Sequence, residues 1–153
     1  MQYANTGDFE AFDASKYSVG IVVAQFNKHI TEESLKSALK VLDEYKVSKD
    51  KINILRVAGS AEVPVALQSL AQSKKYDCLL AIGTVIQGAT PHFDYVCKIV
   101  TEGILRVELD YNIPIGFGIL TCANEEQAKS RANLGGEHMI AALQLTKSIN
   151  EDI

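Results

Sequence analysis

The chain is 153 residues long, 47% apolar, and carries a formal net charge of −4. That length suits one domain whose core needs no covalent staples, and an acidic balance without a Lys/Arg cluster argues against nucleic acid or an anionic membrane as partner. Cys78, Cys97 and Cys122 are odd in number, far apart and without a CxxC pair, so they predict neither a disulfide framework nor a zinc site, but a reduced, cytoplasmic protein.

Residues 1–16 show no periodicity and no basic-then-apolar signal pattern. They read as an arm, flexible or packed on a neighbouring subunit, ahead of a single domain over 17–153. "SVGIVVAQF" (18–26) is a continuous β-branched run, the pattern of a strand covered on both faces. "TEESLKSALKVLDEY" (31–45) repeats Leu35, Ala38, Leu39 and Leu42 at helical spacing and predicts a helix starting near Thr31. "INILRV" (52–57) is the second strand, and 63–73 the next helix, with Pro64 in its first turn. "YDCLLAIGTVI" (76–86) is the third strand. A long helix follows over 91–110, with Thr90 as its cap and Pro91 as its first residue. "IPIGFGILT" (113–121) is the fourth strand, 124–132 a short helix with an Asn124 cap, and 137–149 a last helix beyond a Gly135-Gly136 hinge. Strand and helix alternate four times, which predicts a parallel sheet with helices on both faces, an α/β/α sandwich. The longest apolar runs are strand-length, too short for a membrane span.

In such sheets ligands bind beyond the carboxyl ends of the strands. Those positions hold Phe26 after the first strand, Ser60, Ala61 and Glu62 after the second, and Ala89, Thr90 and His92 after the third. His92 falls in the first turn of a helix, where free backbone N–H groups offer an anion site. Phe26 is either a stacking platform or core. Glu62 either binds hydroxyls or complements a helix dipole, and Arg131 either grips a phosphate or lies solvated on its helix. Phe117, alternating with Ile115 and Ile119, reads as core. There is no GxGxxG after the first strand, no GK[ST] and no GxSxG. Dinucleotide redox chemistry and nucleotide hydrolysis therefore lose ground.

"VVAQFN", "VAGSAEVP", "AIGTVIQGATPHFDYV" and "FGILT…EQAKSRA", in this order and spacing, closely resemble the lumazine synthase family of riboflavin biosynthesis, from about Tyr17 to Leu145. The resemblance implies a flavodoxin-like three-layer sandwich around a four-stranded parallel sheet. It implies condensation of 5-amino-6-(D-ribitylamino)uracil with 3,4-dihydroxy-2-butanone 4-phosphate to 6,7-dimethyl-8-ribityllumazine, with no cofactor and no metal. It also implies residue roles. Phe26 stacks on the pyrimidine. Ser60, Ala61 and Glu62 meet the ribityl chain and ring, and Thr84, Val85 and Ile86 edge the pyrimidine through their backbone. Ala89 and Thr90 sit by the phosphate, and His92 moves protons. Phe117 and Arg131 come from the adjoining subunit, Arg131 on the phosphate, which implies a homo-oligomer: a pentamer, or a sixty-subunit shell built of pentamers. One stretch departs from the family. "RANLGGEHM" looks about two residues shorter than the family's lysine-bearing run, and Gly135 stands where that lysine is expected. Three other readings stay open: a related riboflavin synthase, a catalytically weakened shell-forming or flavin-binding homologue, and a flavodoxin-like binding domain with an incidental histidine.

Overall fold

A computed structural model of the chain describes Asn5 and residues 7–153. Four strands form one parallel sheet: β1 (Val19–Ala24), β2 (Ile52–Val57), β3 (Cys78–Ile86) and β4 (Ile115–Cys122), in the order β2-β1-β3-β4. The helices are α1 (Lys28–Glu44), α2 (Val63–Gln72), α3 (His92–Tyr111), α4 (Glu125–Arg131) and α5 (Gly135–Glu151). The expected flavodoxin-like sandwich is the fold observed.

Side-chain alternation along the strands builds two cores. Ile21, Val23, Leu80 and Ile82 face α1 and α5, where Leu35, Leu42, Met139 and Leu143 cover them. Val22, Leu79 and Ala81 face α2 and α3 and meet Leu67, Val100 and Ile104. Every residue of β1 is buried, which is why its sequence reads as an unbroken apolar run. Each large aliphatic side chain removed from water here contributes about 1.5–3 kcal/mol.

The expected element boundaries hold for β2 and for the Asn124 cap of α4, whose side chain accepts the Gln127 N–H at 2.9 Å. Three expectations are corrected. Helix α1 starts at Lys28, one turn before Thr31, because Asn27 takes a left-handed conformation (φ 59°) that turns the chain directly into it; Thr31 is buried inside the helix. Helix α3 starts at His92, so Pro91 stands at the cap position rather than first in the helix. Gly135 and Gly136 are not a hinge but the buried first turn of α5.

Of the arm expected over 1–16, residues 1–4 and 6 lie outside the described residues. Nearer the domain, the Phe12 ring meets Tyr45 edge-on at 5.1 Å. The Ala14 N–H donates to the Tyr45 carbonyl at 2.8 Å, and Lys16 pairs with Glu151 at 3.2 Å. Among the described residues no helix is long and apolar enough to cross a membrane.

Candidate functional site

The strand order reverses between β1 and β3, and in open parallel sheets the crevice beyond the carboxyl ends at such a switch point is where ligands bind. Pairing between β1 and β3 ends at Val23 and Ile82, yet β3 continues through Gly83, Thr84, Val85 and Ile86, paired only with β4. Four residues of central strand thus present one backbone edge to whatever occupies the crevice. One of its acceptors is taken: Asn27 Nδ2 donates to the Thr84 carbonyl at 3.0 Å. The Val85 side chain is buried toward α2 and α3, and Ile86 packs beside Leu120, Cys122 and Ala128. Both therefore present backbone rather than side chain to a ligand.

The turn after β1 is stitched to the turn after β2. Gln25 N donates to the Val57 and Ala58 carbonyls at 2.9 and 3.0 Å, and Phe26 N donates to Ala58 at 2.8 Å. The Phe26 ring then lies over Gly59 so closely that a Cβ there would stand 2.6 Å from the ring. Although it directly follows a fully buried strand, Phe26 is 65% exposed. That exposure decides against the plain-core alternative and leaves one face of the ring open for stacking.

Ser60, Ala61 and Glu62 form a single 3-10 turn leading into α2. Glu62 Oε2 accepts the Gly59 N–H at 2.9 Å, so the carboxylate braces the glycine under Phe26 while the side chain remains exposed. Ser60 packs against Gly83, where a Cβ would collide with its hydroxyl. Ser60 Oγ and Thr84 Oγ1 are buried and have no hydrogen-bond partner among the described residues. Buried hydroxyls in that state cost free energy unless something else bonds them.

After β3, Gln87–Pro91 run exposed to the start of α3. The His92 N–H approaches Thr90 Oγ1 at 3.4 Å, and the His92 side chain is exposed at the helix start. Ala89 and Thr90 lie just ahead of a 20-residue helix whose first N–H groups face outward, the geometry that attracts an anion.

Phe117 lies in the middle of β4, paired with Ala81 of β3 well before the strand ends, and is 42% exposed, which corrects its reading as core. Its neighbours Ile115 and Ile119 are buried beneath α2 and α3, so Phe117 projects beyond that cover. Arg131 ends α4, its Nη1 donating to the Gln127 carbonyl at 3.0 Å. Burial pushes the Cys122 thiol up, and the Arg131 charge opposes that shift.

A cavity lined by Lys74, Tyr76, Asp77, Tyr111 and Asn112 lies at the opposite end of the sheet. Three of its polar groups are engaged structurally: Asp77 accepts the Ser18 N–H at 2.7 Å, Tyr76 accepts from Asn53 and Tyr111 from Gln72. Among the described residues no group of three or more His, Cys, Asp or Glu is placed to hold a metal ion.

Asn27, Gly59 and Gly83 were not singled out by the sequence reading. The signal for Asn27 was its tolerance of left-handed backbone; for the two glycines it was their position at strand ends, where close approach demands a missing side chain.

These features define a flavodoxin-like α/β protein whose switch-point strand ends carry an exposed aromatic ring after β1 and a long helix start after β3. Residues 16–150 match the family model described as 6,7-dimethyl-8-ribityllumazine synthase. The chain is 41% identical to the 6,7-dimethyl-8-ribityllumazine synthase of Parabacteroides distasonis, covering 87% of this chain and 86% of that one. It is 40% identical to the enzyme of the same name from Desulfovibrio desulfuricans, covering 90% and 89%. The chain belongs to the 6,7-dimethyl-8-ribityllumazine synthase family.

Proposed function

We propose that the crevice between β1 and β3 condenses 5-amino-6-(D-ribitylamino)uracil with 3,4-dihydroxy-2-butanone 4-phosphate. The 5-amino group attacks the ketone, water leaves and a Schiff base forms. A proton is lost next to the imine and phosphate departs. The ribityl-bearing nitrogen then closes the second ring with loss of another water, giving 6,7-dimethyl-8-ribityllumazine. The observation that carries this reading is the backbone edge of Gly83–Ile86 left without a β1 partner, together with the exposed Phe26 ring at the end of β1. A uracil has donors and acceptors along its edge and an aromatic face, and this pairing of strand edge and ring suits both.

The chain's groups divide the work. Phe26 stacks on the pyrimidine, and the backbone of Thr84, Val85 and Ile86 reads its edge. Ser60, Ala61 and Glu62 receive the ribityl chain. The loop at Ala89 and Thr90 holds the phosphate, and His92 carries protons between the reacting atoms. Amine and ketone are inherently reactive, so alignment supplies much of the rate, on the order of 7 kcal/mol or more. Proton transfer by His92 adds roughly 10²–10⁴-fold.

Phe117 and Arg131 complete the site from an adjacent copy, Phe117 against the heterocycle and Arg131 on the phosphate. Support comes from the apolar surface that one chain leaves open: Tyr95 and Leu109 on α3 are 66% and 70% exposed, and Ile99 and Leu105 share that helix. We assign the working form as a cytoplasmic homopentamer, the unit from which a larger shell could be built. Mixing the purified protein with both substrates tests the reaction. Lumazine absorbance and fluorescence with equimolar phosphate release are expected, and pyrimidine binding without product would refute it. Sedimentation tests the assembly, for which five chains of 16.7 kDa are expected.

A further inference from the structure

The connection between α4 and α5 is held from outside, by α1. One 3-10 turn, Ala132–Leu134, joins the two helices, and Leu134 at the cap position of α5 supplies no side-chain acceptor. The free backbone groups of a helix start and a helix end need partners. Two serines of α1 provide them. Ser34 Oγ, buried, donates to the Ala132 carbonyl at 2.7 Å. Ser37 Oγ donates to the Asn133 carbonyl at 2.7 Å and accepts the Gly136 N–H at 2.9 Å. Residues three apart share one helix face, so both hydroxyls point at the same turn. Glycine makes the approach possible. A Cβ on Gly135 would run into the Ser34 carbonyl, and one on Gly136 would stand 2.8 Å from Ser37 Oγ and 3.0 Å from Val41.

Arg131 is the residue immediately before this turn. Among the described residues its guanidinium is fastened only within its own helix, at 3.0 Å to the Gln127 carbonyl and 3.3 Å to Ser130 Oγ. Where its charge can reach is therefore set by the backbone at 131, and that backbone is set by the turn. Resting on the reading that Arg131 grips the phosphate, we propose that Ser34 and Ser37 are positioning residues for Arg131. They act through the Ala132–Leu134 turn and tune affinity for the phosphate-bearing substrate alone. A side chain at residue 135 meets the Ser34 carbonyl, so on this reading the guanidinium of Arg131 and the start of α3 share the electrostatic hold on the phosphate, and displacements near 1 Å matter at such contacts.

The test uses the full-length assembled protein and steady-state kinetics with each substrate varied in turn, with melting temperatures to confirm folding. Ser37→Ala, at a half-buried site that tolerates alanine, is expected to raise the KM for 3,4-dihydroxy-2-butanone 4-phosphate about fivefold, the value of one net hydrogen bond. The KM for the pyrimidine should stay unchanged. Ser34→Ala repeats the measurement at the buried hydroxyl. In an Arg131→Ala background the same serine substitutions should add nothing, because the group they position is gone. Equal rises for both substrates, or a serine effect that persists without Arg131, would show a merely structural role and overturn the proposal. If Arg131→Ala itself leaves the phosphate KM unchanged, the reading of Arg131 fails and the inference with it. If Arg131→Ala weakens phosphate while the serine variants are silent, the positioning role alone is lost.

Discussion

Gly59→Ala isolates the Phe26 platform from the rest of the fold. The new methyl would stand 2.6 Å from Phe26 Cδ2 and 2.8 Å from Cε2. Carbon atoms in contact sit near 3.5–4.0 Å, so the ring must move by about 1 Å or swing away. Phe26 is largely exposed, so swinging away costs the folded protein little. Gly59 has φ −135°, ordinary extended backbone, so alanine meets no strain there and even lowers the entropy of the unfolded chain, by about 0.4–1 kcal/mol. These two effects on stability are small and opposed, and the melting temperature should barely change. Ligand binding has no such compensation. An aromatic ring stacked on a heterocycle contributes roughly 1–3 kcal/mol, so losing the platform should weaken pyrimidine affinity about 5- to 150-fold. The Glu62 carboxylate is also 3.1 Å from the added methyl, which disturbs its bond to the Gly59 N–H in the same direction. Calorimetric titration of 5-amino-6-(D-ribitylamino)uracil into both proteins reads this effect, with Phe26→Ala as the reference for complete loss. Wild-type pyrimidine affinity in Gly59→Ala, or a melting temperature that falls as far as affinity does, would refute the separation of platform from scaffold.

His92→Ala should lower kcat by roughly 10²–10⁴-fold while lumazine still forms, because alignment of two reactive substrates survives the substitution; complete inactivity in a folded protein would contradict a proton-transfer role. His138 packs over Gly118 with Nδ1 unpartnered among the described residues, and burial holds its pKa below the ordinary value against the opposing pull of Glu137. The unfolded chain therefore takes up this proton first, so stability is full above about pH 6.5 and declines as pH falls below it. Melting curves from pH 8 to 5 should show that decline, and His138→Gln should flatten it; an unaltered slope would locate the acid sensitivity elsewhere. Gly135→Lys, which restores a lysine where the family resemblance expects one, should destabilise the protein by about 1–3 kcal/mol or more, since its Cβ meets the Ser34 carbonyl. Denaturant unfolding measures this, and an unchanged midpoint with tighter phosphate binding would show that the turn yields easily.

Much of the fold was legible because it rests on local patterns. The β-branched run at 18–26 predicts a strand buried on both faces and the run at 76–86 a third strand, and β1 and β3 are the two central strands of the sheet. The crevice was legible as a list of strand-end residues, and the structure brings Phe26, Ser60, Glu62 and Thr84 to one place. The misses have a shared cause. Thr31 resembled a helix start, yet Asn27 turned the chain one turn earlier in a conformation that residue type alone does not announce. Phe117 followed the alternation of Ile115 and Ile119, but alternation shows which face a residue occupies, not whether a helix covers it. Gly135-Gly136 suggested a hinge, because the carbonyl and hydroxyl that fill the space beside them belong to residues about one hundred positions away. Contacts at that separation leave no periodicity to read.

The two glycines also leave no room for a side chain at residue 135 unless its surroundings shift. Glycine inside a helix costs about 1 kcal/mol relative to alanine, so a pair of them opening α5 is unfavourable unless their smallness is used. Here it is used: α5 lies close enough to α1 for two serine hydroxyls to satisfy three backbone groups of the junction. A side chain at 135 requires those helices to separate, which would release the same three groups and unfasten the turn behind Arg131. The short turn and the missing cation are therefore one structural decision. On the function proposed for this site, anion binding falls to Arg131 and to the amide groups at the start of α3, and the helix-to-helix contact that leaves no room at residue 135 is the same one that fastens the turn behind Arg131.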